Sequence, residues 1–176
     1  MSSTSALLVI DVQNDVVVNA HARNEVVGTI AELVDRARNE GVPVVWVQHA
    51  DEDLPEGSAG WEIVPELAVA DGESIVHKRH RDSFDGTTMA DVLADLDVNR
   101  LVITGAQTDF CVRWTLHGAQ MRGFDTVLVS DGHTTDDGDA AIPTAAQLIE
   151  HTNRYWTNQS STGQTNRVCA ADEVVF

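Results

Sequence analysis

Short runs made almost wholly of apolar residues, each ending abruptly in polar ones, alternate along this chain with segments whose apolar residues recur at helical spacing. A run such as Ala6 to Ile10 has no polar face, the pattern of a strand covered on both sides, as parallel strands are. Similar runs recur at Val42 to Val47, Ser74 to Val76, Leu101 to Thr104 and Thr126 to Val129. Between the first two, Val26, Val27, Ile30, Leu33, Val34 and Ala37 keep helix spacing, and Gly41 follows as a stop. Met89, Val92, Leu93 and Leu96 form a second stripe. A third helix is predicted from about Phe110 to Arg122, ending at Gly123, and a fourth over roughly Ala140 to Tyr155 despite Pro143. Strands alternating with helices predict an α/β fold, a parallel sheet with helices on both faces. The polar stretches Asp51 to Gly60 and Asn158 to Asn166 read as loops.

The 176 residues, 43% hydrophobic, suit one domain over residues 1–176, with no repeat or linker to divide them. Lys+Arg 11 against Asp+Glu 28 gives a formal net charge of −17, a field that disfavours nucleic acid and anionic membrane as partners. No apolar run approaches the roughly 20 residues of a membrane span. No basic segment precedes a hydrophobic stretch at the start, so the expectation is a cytoplasmic protein with free thiols at Cys111 and Cys169. Ten of the eleven basic residues are Arg, so Lys78 is the only lysine, a bias that fits either a salt-adapted or a GC-rich source.

Ligands of parallel α/β sheets bind beyond the carboxyl ends of the strands, and here those ends are polar. The first strand runs into Asp11 with Gln13 behind it, the second into Gln48 and His49, and the third into His77, Lys78 and Arg79. The fourth meets Gly105-Ala-Gln-Thr-Asp-Phe-Cys111, and the fifth meets Ser130-Asp-Gly-His133. Cys111, where a strand turns into a helix, is placed for its thiolate to be stabilised by free amides and the helix dipole. Free cysteines are also commonly buried structural thiols. Asp11 is a candidate general base or a turn residue, and Lys78 a candidate charge partner or a solvated amine. The Gly105 to Asp109 turn offers amides for an oxyanion. Phosphate-cradling glycine motifs are absent from the sequence, and the spacing of His49, Asp51 and Asp53 gives little support for a metal.

Taken together, Leu8-Val-Ile-Asp-Val-Gln-Asn-Asp15, the Lys78 segment and Val102-Ile-Thr-Gly-Ala-Gln-Thr-Asp-Phe-Cys-Val112 resemble the isochorismatase-like cysteine hydrolase superfamily. The resemblance covers about residues 6 to 156. It implies a three-layer α/β/α sandwich with a mostly parallel central sheet and a triad on Asp11, Lys78 and Cys111. It also implies a cis peptide between Ala106 and Gln107, with the amides of Gln107 and Cys111 directed at the oxyanion. In that chemistry the cysteine attacks an amide-type carbonyl, the aspartate moves the proton, an amine leaves, and water hydrolyses the thioester. Homo-oligomers, dimers or tetramers, are implied too.

Two departures bear on the substrate. Where the nicotinamidase branch carries metal-binding Asp-x-His, this chain reads Asp51-Glu-Asp53-Leu-Pro. The expectation is therefore no metal and no cofactor. Isochorismatases that cleave a vinyl ether do not need the cysteine, so Cys111 favours a small amide as substrate. Gln13, His49, Trp61, Phe84, Trp114 and His133 are candidate substrate-binding residues by position. The alternatives are an isochorismatase-type or nicotinamidase-type hydrolase, and a non-catalytic redox-sensing thiol protein on the same fold.

Overall fold

A computed structural model describes residues 4–137 and 143–176. The chain opens with β1 (Ser5–Ile10), α1 (Asn14–Val17), α2 (Arg23–Asn39), β2 (Val44–His49) and β3 (Ser74–Lys78). It continues with α3 (Met89–Asp95), β4 (Arg100–Ala106), a π-helical turn (Thr108–Val112) and α4 (Arg113–Met121). It closes with β5 (Asp125–Thr134), α5 (Ala145–Thr157), β6 (Asn166–Cys169) and a short 3-10 turn (Ala171–Glu173). Among the described residues the six strands form one parallel sheet in the order β3-β2-β1-β4-β5-β6.

The alternation of side chains along the central strands divides the core in two. Leu7 and Val9 of β1 pack with Ile30, Leu33 and Val34 of α2 on one face. Ala6, Leu8 and Ile10 join Leu93, Leu116 and Trp156, from α3, α4 and α5, on the other. All six β1 residues are buried, as the unbroken apolar run predicts. The layers are helix, sheet, helix.

Several boundaries differ from expectation. The second strand begins at Val44, because Pro43 cannot donate to the ladder and instead its carbonyl accepts from Leu7 N–H at 2.9 Å. The last helix starts at Ala145, after Pro143, where Thr144 and Gln147 build a reciprocal capping box. Residues 140–142 of that predicted helix lie outside the described residues. Asn166, read as the end of a loop, instead opens β6, which pairs in parallel with β5 from Thr126↔Asn166 to Val129↔Cys169.

Candidate active site

β1 and β4 lie side by side, with β2 continuing the sheet beyond β1 and β5 beyond β4, and the crevice outside such a reversal point is where an open α/β sheet binds ligands. Asp11 follows β1 directly, in a left-handed conformation (φ 50°) fixed by its N–H donating to Val47 O at 2.9 Å. β4 approaches β1 so closely at Gly105 (φ 119°) that a Cβ there would sit 2.0 Å from Ile10 O. The Ala106–Gln107 peptide that follows is cis. The chain then winds into the π-helical turn that carries Cys111, closed by Val112 N–H donating to Gln107 O at 3.2 Å. Lys78 is the last residue of β3 and reaches across the end of β2.

These three side chains meet. Lys78 Nζ lies 2.7 Å from Asp11 Oδ2, with the two side chains 0% and 1% exposed. The same ammonium donates to Cys111 Sγ at 3.2 Å and to His80 O at 3.1 Å, and His49 Nδ1 stands 3.4 Å away. Burial raises the Asp11 carboxyl above the ordinary carboxylate range, and the charge of Lys78 offsets only part of that. For Lys78 burial pulls downward, but the neighbouring Asp11 and Cys111 leave the ammonium above its ordinary value. Burial, then the Asp11 charge, push the Cys111 thiol up to about 12. Desolvation and the Asp11 carboxylate thus act on Cys111 in the direction opposite to the helix dipole expected at its position.

Cys111 lies at a cleft of about 600 Å³ bordered also by Asp11, Gln107 and His49. Val16, Leu54 and Phe110 give it apolar lining, and Arg79, Arg81, Asp15 and Asp53 give it charged lining of both signs. Of the candidate substrate-binding residues, His49 borders this cleft, yet both its ring nitrogens are engaged within the protein: Nδ1 by Lys78 and Nε2 by Asp51 at 2.9 Å. Gln13 is fully buried and spends its amide on the backbone. It donates to His49 O (3.0 Å) and Trp61 O (2.7 Å) and accepts from His49 N–H (2.8 Å). Trp61 stacks on His77 outside the cleft.

The expectation that Phe84, Trp114 and His133 wall the pocket is corrected by where they sit. Phe84 is in the core against Phe124. Trp114 is 54% exposed on α4, beside a different cavity with His117 and Tyr155. His133 is buried between Thr108 Oγ1 (2.8 Å) and Asn153 Oδ1 (2.9 Å), tying the π-helical turn to α5. The sequence reading missed Phe110, whose signal was adjacency to Cys111, while Arg79 and Arg81, read from the sequence as part of a basic cluster that could hold an anion, do line the cleft. Among the described residues no group of three or more His, Cys, Asp or Glu is placed to hold a metal ion.

Residues 5–161 match the isochorismatase domain. The chain belongs to the isochorismatase family. Streptothricin hydrolase of Streptomyces noursei is 35% identical over 143 residues, covering 77% of this chain and 56% of that protein. N-carbamoylsarcosine amidase of an Arthrobacter species is 26% identical over 124 residues, 58% of this chain and 47% of its own. This family member thus spans about half the length of either relative. A crystal structure of another isochorismatase family protein superposes with a TM-score of 0.84 at 27% identity, covering 94% of this chain and 98% of the other. No helix of the described residues is long and apolar enough to cross a membrane.

Proposed function

We propose that this isochorismatase-family protein is a cysteine-dependent hydrolase of a small amide-type C–N bond, working through a thioester with Asp11, Lys78 and Cys111 as its triad. The observation that carries the reading is the placement of one ammonium, Lys78 Nζ, within 2.7 Å of a buried carboxylate and 3.2 Å of a thiol at the cleft. A thiol of raised pKa is a poor nucleophile until its proton is removed, and a carboxylate of raised basicity beside it is suited to remove it. Asp11 takes the thiol proton as the C–S bond forms. It gives that proton to the departing nitrogen as the C–N bond breaks, then takes one from the water that opens the thioester. The Lys78 charge balances the negative charge that moves between carboxylate and sulfur. The amides of Gln107 and Cys111, both bordering the cleft, are the oxyanion donors in this proposal. The relatives, a hydrolase and an amidase by name, support the reaction class.

The triad chemistry calls on no metal or cofactor. The same reading has the protein working in the cytoplasm as a homo-oligomer, with exposed Trp114 and Met121 on α4 as apolar surface for the contact. The redox-sensor alternative loses ground, since a sensing thiol needs no carboxylate and ammonium positioned beside it for acyl transfer.

The test is turnover of a panel of small amides, ureido acids and lactams, followed by ammonia release and by the mass change of ring opening, for wild type and Cys111→Ala. Hydrolysis by the wild type that disappears in Cys111→Ala is expected. Hydrolysis that survives the substitution would exclude the thioester route.

A further inference from the structure

Two cleft residues that follow different strands touch each other: the guanidinium of Arg81, beyond β3, lies over the ring of Phe110, beyond β4, 4.3 Å from its centroid. A ring occupies only the face of a guanidinium, so the fork of N–H donors stays available. Among the described residues that fork has no acceptor and no carboxylate within pairing distance, and Arg81 is exposed. Elsewhere arginine is fastened down. Arg23 meets Glu66 at 2.6 Å, Arg38 meets Glu73 at 2.7 Å, and Arg100 donates to Val175 O at 2.7 Å. Arg79, the other guanidinium of the cleft, has only a 3.9 Å approach to Glu56, with both side chains more than half exposed, an ion pair that holds it weakly.

The acids of the cleft are differently spent. Asp11 is ion-paired with Lys78 at 2.7 Å. Asp51 meets His49 at 2.9 Å and accepts from the N–H groups of Asp53 and Leu54. Asp15 has its carboxylate laid against Gly60, in the space a side chain there would need. That leaves Asp53, on the exposed loop after β2, against two guanidiniums. Phe110 and Cys111 are consecutive and border the same cleft, so an anion seated on the Arg81 fork lies within a small molecule's length of the sulfur. In a molecule of net charge −17, such a cation also offsets a field that repels anions.

We propose that Arg81, seated on Phe110 and seconded by Arg79, is the specificity-determining residue of the site, and that the amide it selects carries a carboxylate, held as a charge-assisted pair on the guanidinium fork. The inference rests on the proposed hydrolase reading and names its substrate class. Succinamate is a member. Cys111 attacks its carboxamide carbon, the C–S bond forms, and the C–N bond breaks as ammonia leaves with the thiol proton. Water then opens the thioester, its hydroxyl going to carbon and its proton to sulfur, and succinate departs.

Two methyl ketones that cannot be hydrolysed, levulinate and pyruvate, carry a carboxylate at different distances from the carbonyl. Methyl isoamyl ketone and methyl isopropyl ketone are their apolar isosteres. The quantity measured is the concentration of each that halves alkylation of Cys111 by neutral iodoacetamide, with peptide mass mapping to separate Cys111 from Cys169. Each rate is taken relative to the same protein without ketone, so a change in the thiol's own reactivity cancels. At least one carboxylate is expected to protect at lower concentration than its isostere. Arg81→Met is expected to raise that concentration about tenfold or more, and to move the isostere's by no more than about twofold. Arg81→Lys, which keeps a point charge but loses the fork, recovers part of the loss. Arg154→Met, which removes a guanidinium beside a different cavity, alters neither.

Isosteres that protect as well as the carboxylates, or carboxylate protection that survives Arg81→Met, would overturn the inference. So would protection by inorganic phosphate with both carboxylates inert. None of these readouts needs turnover, so they stand apart from the amide panel. A panel hydrolysed best in its neutral or cationic members sinks the substrate assignment and leaves the hydrolase reading intact. Hydrolysis of no amide at all sinks the hydrolase reading, even where levulinate protects.

Discussion

Cys111 sits between a cation and an anion that act on it in opposite directions, and burial adds to the anion. With the thiol pushed up to about 12, the thiolate fraction grows about tenfold per pH unit through the neutral range. Iodoacetamide modification of Cys111 is therefore expected to keep accelerating beyond pH 9, with no plateau near 7. Asp11→Asn removes the charge that raises the thiol, so its alkylation profile moves to lower pH even as turnover is lost. A wild-type plateau near neutrality would contradict the electrostatics described here. The three residues of the cluster were legible in the sequence because each stands where an apolar run ends, and the strand order then brings those ends together. Phe84, Trp114 and His133 were not placed correctly because nearness to a motif does not say towards which layer a side chain turns. His49 was noticed as a cleft residue, but its link to Lys78 depends on the pairing of β2 with β3, which no local pattern discloses.

At the level of elements, Gly105 and Thr144 offer a contrast. A methyl group at Gly105 meets the Ile10 backbone at 2.0 Å in a conformation reserved for glycine, so Gly105→Ala must push β4 away from β1. A loss of more than about 2 kcal/mol is expected, together with a loss of turnover, because the displaced strand leads into the turn that carries Cys111. Thr144→Ala removes one half of the α5 capping box, costs about 1 kcal/mol and leaves turnover unchanged. Urea midpoints and activity measured on both variants check the pair. The other five strands announced themselves by short, mostly apolar runs, whereas β6, Asn-Arg-Val-Cys at the sheet margin, has too few apolar residues to stand out from a loop. Its identity as a strand comes from the exposed ladder of β5 that it completes.

For the whole molecule the dominant quantity is a net charge of −17 on 176 residues. Self-repulsion of that size weakens as the Debye length falls from about 10 Å at 0.1 M salt to about 3 Å at 1 M. The melting temperature is expected to rise across that range, and sedimentation velocity under the same conditions reads whether subunits associate more strongly. A melting temperature that falls with salt would show ion pairs such as Arg23–Glu66 and Arg38–Glu73 outweighing the repulsion. The way the chain spends its basic residues has one more consequence. Its only lysine is sealed behind Asp11 and Cys111 with no exposed side-chain area, so a succinimidyl ester meets no lysine amine on the folded surface. Labelling of Lys78, followed by peptide mass mapping, therefore counts the moments at which the site comes apart, making the protein its own clock for opening.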